Sequence, residues 1–359
     1  MKKLSVHLVT WNGAKYIPFL FDSLKKQTFK NYKLVILDNG SVDNTVAKIK
    51  KQITNFPVEV ELIEGKENLG FAKGHNKLVE SRRSKVESQY TLLINQDLYL
   101  GKDCLEKMVK FMDSNSECAV LGPRVMKWDS DKISSPQRDP VFTAGQDTHN
   151  NIQDSFTDVI DTMGLKVYKN RRVVEIGEGE KWSNVKCQMS GVTEVFGLSG
   201  AIFMFRNSAV EKIGLFDASL NAYKEDVDLA YRLQSAGYKS FVLPSAVCYH
   251  KRTGMGVKHK DDISSLKNKK RQNKLVQYNS YRNHLIVLYK NEYWQNLLLD
   301  CIFIKWYEIK KFGYFLLFDR SVLRGLSEIW GKRKEIREQR LEIKKLRKIS
   351  WKEMRKWFE

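Results

Sequence analysis

The stretch Tyr32–Ser41, with the sequence YKLVILDNGS, decides the fold predicted for this chain of 359 residues. Its first six residues form a near-continuous apolar run, as expected for a strand covered on both faces of a sheet. Asp38 and the polar residues after it end the strand. A β-rich run at Leu4–Thr10 and a helical apolar pattern at Ile17–Gln27 precede it. This order of strand, helix and strand predicts a parallel sheet with right-handed crossovers.

The alternation of strands and helices continues along the chain. From apolar spacing, further helices are predicted at Asp43–Ile53, His75–Ser84, Cys104–Asp113 and Glu225–Ala236. Further strands are predicted at Val58–Ile63, Tyr90–Ile94, Ala119–Val125, Thr193–Arg206, Ser240–Val242 and Ala246–His250. A loop at Glu64–Gly74 and a long, partly ordered excursion at Asp129–Val192 interrupt the pattern, and we expect the excursion to cover the functional site. The predicted fold class is α/β with a mainly parallel central sheet.

The composition of the chain changes after His250. Residues 251–359 contain 28 Lys and Arg against 12 Asp and Glu, whereas the charges of the first 250 residues nearly balance. We therefore predict an α/β domain over residues 1–250 and a basic, aromatic-rich helical extension over residues 251–359. Two interpretations of the extension stay open. It contacts an anionic membrane surface through its basic and aromatic side chains, or it packs on the α/β domain with its charges solvated.

Three further features bear on location. The five cysteines are well separated and lack CxxC spacing, which favours buried, reduced thiols in a cytosolic protein over a disulfide framework or a zinc site. The amino-terminal residues lack the apolar core and cleavage site of a signal peptide, and no uninterrupted apolar run reaches about 18 residues. We expect a cytoplasmic protein without a transmembrane helix.

Polar clusters follow the predicted strands at their carboxyl ends, where open α/β sheets bind ligands. Thr10-Trp11-Asn12 and Asp38 have the groups to hold a base and a ribose, although such residues also serve ordinary turns. The glycine-containing stretch Asn68–Asn76 permits close backbone approach to a phosphate, with Gly70 and Lys73 as candidates. It is equally compatible with a surface loop bearing a solvated lysine.

Acidic residues and one histidine complete the candidate site. Asn95-Gln96-Asp97 follows a strand directly, so Asp97 either holds a divalent cation or caps the next segment. In the run Glu225–Asp228, acids at a helix start either complement the helix dipole or accept a proton from an attacking hydroxyl. Asp228 is expected to pair with Arg232, four residues on, at the helix surface. His250 follows a strand, where a lone histidine is either structural or a ligand.

The ordered set of motifs resembles family 2 glycosyltransferases, which are inverting, metal-dependent enzymes with the GT-A nucleotide-sugar fold. The resemblance covers about residues 4–250 and is closest to rhamnosyltransferase-like members. Each motif alone is weak, but seven in this order are specific. The matching stretches are Val6–Asn12, Leu37–Asp43, Asn68–Ala72, Asn95–Asp97, Leu198–Ala201, Gly214–Asp217 and Glu225–Leu229.

The resemblance implies roles for individual residues. Asp226 matches the general base, and Glu225 is its neighbour and nearest rival. Asp97 matches the last residue of the DxD metal motif, where Mg²⁺ or Mn²⁺ is expected, and His250 lies where some GT-A enzymes place a further metal ligand. Asn95 stands where many members have the first Asp, which puts strict metal dependence in question. The residues expected to line the nucleotide and sugar are Thr10, Trp11, Asn12, Asp38, Asn68, Gly70, Lys73, Asn95, Gly200 and Ala201.

The resemblance also implies a reaction. The enzyme would move a sugar, with rhamnose favoured, from a dTDP- or UDP-sugar to a hydroxyl of a lipid-linked surface glycan at the inner face of the cell membrane. A non-catalytic partner of a glycan assembly complex is the alternative, although the presence of Asp97 and Asp226 disfavours it. Nucleic acid binding would also use the basic extension, but no nucleic-acid-binding module is recognisable, and we expect no nucleic acid partner.

Overall fold

The computed structural model describes residues 2–81, 88–133, 152–252 and 274–359. Within these ranges one sheet of ten strands runs through the predicted α/β domain. Its strands are β1 (Leu4–Thr10), β2 (Tyr32–Asp38), β3 (Val60–Glu64), β4 (Tyr90–Ile94), β5 (Leu98–Leu100), β6 (Cys118–Trp128), β7 (Phe156–Thr162), β10 (Thr193–Val195), β11 (Ile202–Arg206) and β12 (Lys239–His250). Two short strands, β8 (Leu165–Val167) and β9 (Val173–Glu175), form a separate antiparallel pair.

The central sheet is largely parallel, as predicted. Its main path runs β10-β12-β6-β11-β4-β1-β2-β3. Parallel pairing joins β3, β2, β1 and β4 in one block and joins β6 to β12. The antiparallel strand β11 lies between β4 and β6. Because β1, β2 and β4 run in the same direction, their polar carboxyl-terminal residues meet at one edge of the sheet.

The strand that led to the predicted fold is buried on both faces. All seven residues of β2 are buried. Leu34 and Ile36 join the core on one face of the sheet, and Val35 and Leu37 pack with Leu78 on the other. Each such side chain contributes about 1.5–3 kcal/mol through removal from water, so this alternation fixes the strand in the middle of the layers.

Thirteen helices of the described ranges cover the sheet and form the extension. They are α1 (Ile17–Lys25), α2 (Thr45–Ile53), α3 (Phe71–Glu80), α4 (Cys104–Ser114), α5 (Trp182–Met189), α6 (Asn207–Ile213), α7 (Glu225–Ser235), α8 (Lys274–Asn291), α9 (Trp294–Leu299), α10 (Cys301–Phe318), α11 (Arg324–Gly331), α12 (Arg333–Leu346) and α13 (Trp351–Arg355). Helix α3 begins four residues earlier than predicted because Gly70, with φ of 79°, ends the loop directly before it. Lys73 therefore lies on a helix, not in the predicted loop.

Two strand predictions were wrong in detail. The predicted strands at Ser240–Val242 and Ala246–His250 are one strand, β12, with a register shift between Leu243 and Val247. Proline at position 244 lacks an N–H group, which explains why the sequence pattern suggested a break there. The short strand β5 was not predicted. The segment Thr193–Arg206 resumes the sheet, as predicted, and contributes two strands separated by a turn that contains Gly200.

The described part of the excursion at Asp129–Val192 packs on the sheet. Strand β7 pairs with β6, and helix α5 follows the β8–β9 pair. Residues 134–151 of the excursion lie outside the described residues. All five cysteines are unpaired, but Cys187 on α5 is exposed, which differs from the expectation that the thiols are buried.

The described part of the helical extension packs on the predicted α/β domain through buried polar contacts. Nε of Arg171, in the excursion, lies 2.6 Å from Glu292, and its Nη1 lies 2.9 Å from Asp300. Asn283 of α8 donates to the backbone carbonyls of residues 220, 222 and 223, directly before α7. Such paired groups are costly to separate, so α8 is a fixed part of the structure next to α7. No helix of the described ranges combines the length and the apolar character needed to cross a bilayer.

Candidate active site

The end of β1 is joined to the residues after β4 by the side chain of Gln96. Oγ1 of Thr10 donates to Oε1 of Gln96 over 2.6 Å, and the backbone N–H of Trp11 donates to the same oxygen over 3.0 Å. The Trp11 ring is half exposed. The two loops therefore hold each other, and a flat aromatic ring at this edge is available to a ligand base. Gln96 was not among the predicted site residues.

The loop after β2 is tied to the loop before α3. The amide nitrogen of Asn39 donates to Oδ1 of Asn68 over 2.9 Å, and Oδ1 of Asn39 accepts from the N–H of Leu69 over 3.0 Å. Asn12 is tied in as well, because its N–H donates to Ser41 over 2.9 Å. The side-chain oxygen of Asn68 is therefore engaged in holding the two loops together.

One buried oxygen in this region lacks a partner among the described residues. Oδ2 of Asp38 accepts from the N–H of Ser41 over 3.0 Å, whereas Oδ1 is buried without a hydrogen bond. A buried carboxylate oxygen normally finds a donor. Asp38 is thus placed to accept a hydrogen bond from a ligand hydroxyl or base.

Lys73 and Gly70 occupy the start of α3. Lys73 is exposed on the third residue of the helix. A Cβ on Gly70 would lie 1.9 Å from Oδ1 of Asn221, and its positive φ disfavours other residues, so this glycine serves a close approach between two loops. Nothing in these contacts assigns a phosphate to either residue.

Asp97 lies beside His250 at the end of β12. Nε2 of His250 lies 3.5 Å from Oδ1 of Asp97, and Nδ1 of the same ring lies 2.9 Å from Oδ2 of Asp161. Burial lowers the pKa of His250, but hydrogen bonds to Asp161 and Asp97 and their charges outweigh it and raise the pKa to about 9. Asn95 is half-buried, and its N–H donates to the carbonyl of Ala201.

Asp161 belongs to a buried charge network that the sequence did not indicate. Nε of Arg252 lies 3.6 Å from Asp161, and its Nη2 lies 2.8 Å from Glu175. Burial raises the pKa of Asp161, but the hydrogen bond to His250 and the charge of Arg252 outweigh it and hold the pKa below its usual range. Burial raises the pKa of Glu175, and the charge of Asp226 adds to this rise. The network therefore connects His250 through Asp161 and Arg252 to Glu175.

The residues Asp97 and His250 fit a divalent cation only in part. No group of three or more His, Cys, Asp or Glu side chains with metal-binding geometry occurs among the described residues. The pair offers one carboxylate oxygen and one imidazole nitrogen on the same side. Mg²⁺ and Mn²⁺ at phosphate sites commonly take one or two protein ligands, and substrate phosphates and water complete the shell. This donor set is compatible with such a cation, which would displace the His250 proton.

Asp226 is held at the start of α7 by backbone donors. Its Oδ1 accepts from the N–H of Val227 over 2.8 Å, and its Oδ2 accepts from the N–H of Gly200 over 3.2 Å. The side chain is neither buried nor fully exposed. The turn at Gly200 and the start of the helix therefore hold this partly exposed carboxylate in one position.

Glu225 differs sharply from its neighbour. It is buried, and its Oε2 has no hydrogen-bond partner among the described residues. Burial and the charge of Asp226 raise the pKa of Glu225 to about 8. Tyr223 and Lys224, directly before the helix, have φ of 71° and 72°, a left-handed backbone that non-glycine residues adopt only where the surroundings enforce it.

The predicted pair of Asp228 and Arg232 is present but buried, not at the helix surface. Nε of Arg232 lies 2.8 Å from Oδ2 of Asp228, and Nζ of Lys290 lies 3.1 Å from Oδ1. Burial raises the pKa of Asp228, but the charges of Lys290 and Arg232 outweigh it and hold the pKa far below its usual range. Asp228 is thus fully engaged in structure, which leaves Asp226 and Glu225 as the acids of this run without a cationic partner among the contacts described.

Comparisons with known proteins identify the family of the chain. A family model described as "Glycosyl transferase family 2" matches residues 5–214, which is more than half of the chain, and a model described as "Glycosyl transferase family group 2" matches residues 166–272. The chain belongs to glycosyl transferase family 2. It is therefore a glycosyltransferase, and the predicted enzyme class is confirmed.

Two bacterial relatives of this family 2 glycosyltransferase are named as transferases of particular sugars. The chain is 24% identical over 266 residues to N-acetylglucosaminyl-diphospho-decaprenol L-rhamnosyltransferase of Mycobacterium tuberculosis, covering 70% of this chain and 78% of that protein. It is 28% identical over 123 residues to the poly(ribitol-phosphate) beta-N-acetylglucosaminyltransferase TarS of Staphylococcus aureus, covering 34% of this chain and 21% of TarS.

A solved structure supports the GT-A fold of the family 2 glycosyltransferase. The crystal structure of GalNAc-T7 with UDP, GalNAc and Mn²⁺ superposes with a TM-score of 0.55 at 12% identity. The match covers 80% of this chain and 48% of GalNAc-T7, so this chain corresponds to about half of that protein. The likeness confirms the predicted fold class.

Proposed function

We propose that the protein transfers a sugar, with rhamnose favoured, from a nucleoside-diphosphate donor to a hydroxyl of a growing, lipid-linked surface glycan. The observation that carries the proposal is the Asp226 carboxylate, held by the N–H groups of Val227 and Gly200 at the edge of the sheet. The named activity of the mycobacterial relative supports the choice of rhamnose and of a lipid-diphosphate acceptor. Such an acceptor places the enzyme at the anionic inner face of the cell membrane.

The nucleotide is bound at the carboxyl ends of β1 and β2. Trp11 offers its exposed ring face for stacking, and the unpartnered Oδ1 of Asp38 accepts a hydrogen bond from the base or the ribose. The linked loops of Asn12 and Asn68 hold these groups in place. Gln96 keeps the β1 loop at a fixed position beside Asp97, so the nucleotide and the diphosphate are bound by connected loops.

Asp226 acts as the general base of a single displacement. It removes the proton of the acceptor hydroxyl, and the oxygen attacks the anomeric carbon from the face opposite the diphosphate. The bond from that carbon to the diphosphate oxygen breaks with its electron pair, and the configuration inverts. One carboxylate is enough because the leaving diphosphate needs charge neutralisation and no proton.

Asp97 and His250 are the residues that would hold Mg²⁺ or Mn²⁺. When bound, the cation supplies charge neutralisation to the diphosphate. Asp161 keeps the His250 ring in one orientation through Nδ1, so that Nε2 faces Asp97. Burial and the charge of Asp226 raise the pKa of Glu225 to about 8, so Glu225 holds its proton more tightly than an ordinary glutamate does.

The test is a donor panel with product analysis. Purified protein is incubated with dTDP-rhamnose, UDP-N-acetylglucosamine, UDP-glucose or GDP-mannose and a polyprenyl-diphosphate-linked N-acetylglucosamine acceptor, with and without Mn²⁺. The proposal predicts transfer from dTDP-rhamnose, with the anomeric configuration of the product inverted in its NMR spectrum. Retained configuration would contradict the single displacement, and transfer from a different donor alone would contradict the choice of rhamnose.

A further inference from the structure

Exposed apolar side chains concentrate on one part of the extension. Of the 21 large apolar side chains exposed in the described part of the chain, 12 lie in α9 and α10. Two of them, Ile302 and Leu317, are 77% and 76% exposed. Scattered exposed apolar residues are ordinary, but a contiguous group on one helix pair marks a surface that meets something apolar.

The exposed side chains of α10 lie along its outward side. Residues 302, 306, 309 and 317 recur at helical spacing opposite the buried Ile304 and Phe315. We call the outward surface the apolar face, and its residues are Ile302, Phe303, Trp306, Ile309, Leu316 and Leu317. The opposite side of the helix is already packed, because the rings of Tyr281 and Phe315 lie 5.1 Å apart. The apolar face therefore remains uncovered after α10 has docked on α8.

Charges on α10 are sorted by side. Glu308 is the only acidic residue of this helix, and it faces inward, 2.8 Å from Nε2 of His284 and 3.4 Å from Nζ of Lys311. Lys305 and Lys310 are exposed on either side of the apolar face. An apolar strip bordered by cations and free of anions matches the surface of an anionic bilayer, where acyl chains lie below negative headgroups.

The same charge pattern disfavours a second copy of the chain as the occupant. In a two-fold interface the same surface meets itself. Packing two apolar faces together would bring Lys305 and Lys310 of one copy close to the same lysines of the other. Glu308, the one acidic residue of α10, faces the other side of the helix. A lipid surface with negative headgroups pairs with both lysines instead.

The position of α10 relative to the base gives the surface a role. Helix α8 carries His284 and Tyr281 toward α10 and, one residue from His284, Asn283 toward the carbonyls of Ala222 and Tyr223. Those residues directly precede Glu225 and Asp226. The apolar face is therefore connected through α10 and α8 to the loop that directly precedes α7, the helix that carries Asp226.

We propose that the apolar face lies in the interfacial layer of an anionic membrane, with α10 parallel to the membrane plane. Lys305 and Lys310 contact negative headgroups, and the face holds Asp226 near lipid-linked acceptors. The role in presenting the acceptor rests on the proposed function, whereas the membrane contact is measurable without it. An in-plane position agrees with the absence of a bilayer-spanning helix among the described residues.

The test is co-sedimentation of the full chain with vesicles of phosphatidylglycerol and phosphatidylcholine, compared with pure phosphatidylcholine. The key variant is Ile302→Ser/Trp306→Ser/Leu317→Ser. Its matched control is Val192→Ser/Trp330→Ser/Leu341→Ser, which removes three exposed apolar side chains elsewhere. We expect the wild type and the control to bind the anionic vesicles, and the key variant to lose about tenfold or more of its vesicle affinity. Equal binding by both triple variants overturns the proposal.

Further readouts separate the remaining outcomes. Circular dichroism must show that both variants are folded, and the Lys305→Glu/Lys310→Glu variant, with intact apolar face, is expected to lose its preference for anionic vesicles. If sedimentation shows a dimer that the key variant turns into a monomer with vesicle binding unchanged, the face is an interface between copies. Loss of vesicle binding with unchanged transfer to a water-soluble acceptor supports the membrane contact. Vesicle binding without any sugar transfer would contradict the proposed function and would still support the membrane contact.

Discussion

Nδ1 of His250 lies 2.9 Å from the carboxylate of Asp161, and this contact turns Nε2 of the ring toward Asp97. Asp161 comes from β7, in the excursion that packs on β6. The acid therefore reaches His250 from a different part of the chain than Asp97 does. In metal sites, a carboxylate in this position fixes the orientation of the histidine ring and strengthens the bond from the ring nitrogen to the metal.

Replacing Asp161 by Asn should weaken Mn²⁺ binding by about 10–100-fold, because the ring loses its charged partner at Nδ1. The measurement is Mn²⁺ affinity by electron paramagnetic resonance in the presence of nucleoside diphosphate. Asp158→Asn is the control, since this exposed acid lies on the same strand and contacts Ser183 instead. Equal Mn²⁺ affinities for the Asp161→Asn variant and the wild type would show that Asp161 has no positioning role.

Asp97→Ala should reduce donor affinity when Mn²⁺ is present and leave it almost unchanged when the metal is chelated. The reason is that the carboxylate acts on the diphosphate through a cation and not directly. Isothermal titration of the nucleotide sugar, with Mn²⁺ or with EDTA, gives both affinities. If the Asp97→Ala variant binds the nucleotide sugar as tightly as the wild type in the presence of Mn²⁺, the metal assignment is wrong.

Asp228→Asn should destabilise the protein by about 3–5 kcal/mol, because it leaves the buried Arg232 without its carboxylate partner and Lys290 with Asp217 alone. The control is Asp103→Asn, which breaks an exposed pair with Lys107 at the same i,i+4 spacing and should cost less than about 1 kcal/mol. Urea unfolding at neutral pH measures both. Similar losses for the two variants would mean that burial adds nothing to the Asp228 pair.

Glu225→Gln should flatten the pH dependence of stability between pH 5 and pH 8. Burial and the neighbouring Asp226 raise the pKa of Glu225 to about 8, while Lys224 opposes the rise. The folded protein therefore binds a proton that the unfolded chain releases above its ordinary pKa, so the favourable contribution present at low pH is lost as pH rises toward 8. Wild-type stability should fall relative to the variant by about 1 kcal/mol or more over this range. If the unfolding free energies of the wild type and the variant change by the same amount between pH 5 and pH 8, the prediction is wrong.

The sequence predicted the parts of the site that lie next to strand ends. The apolar run at Tyr32–Leu37 predicted that β2 is buried, and the polar residues after β1, β2 and β4 identified one edge of the sheet. The roles of Asp161 and Gln96 were not predicted. Asp161 belongs to no recognised motif, and the contacts of Gln96 with Thr10 and Trp11 depend on how β1 and β4 pair. Asp161 meets His250 only after β7 has paired with β6, and sequence spacing carries no information about that pairing.

The extension shows the same limit. Lys290 lies 73 residues from Asp217, which it contacts, and its 2% exposure contradicts any expectation that the basic residues of the tail are all solvated. Composition gave the excess of positive charge but could not say which lysines are buried. The helical spacing of Asp228 and Arg232 predicted that they pair. It could not predict that the pair is buried, because Lys290 reaches Asp228 from helix α8, which is distant in sequence.

The most direct test of the account is the activity of Asp226→Asn, measured together with its donor affinity. An amide side chain cannot take up the proton of the acceptor hydroxyl, so the rate of single-turnover transfer should fall by about 10²–10⁴-fold or more. Nucleotide affinity should stay at the wild-type value, because the nucleotide binds at the ends of β1 and β2. Glu211→Gln, which alters an exposed acid on α6, serves as the control and should keep full activity. Near-normal transfer by Asp226→Asn would contradict the assignment of the base and the account built on it.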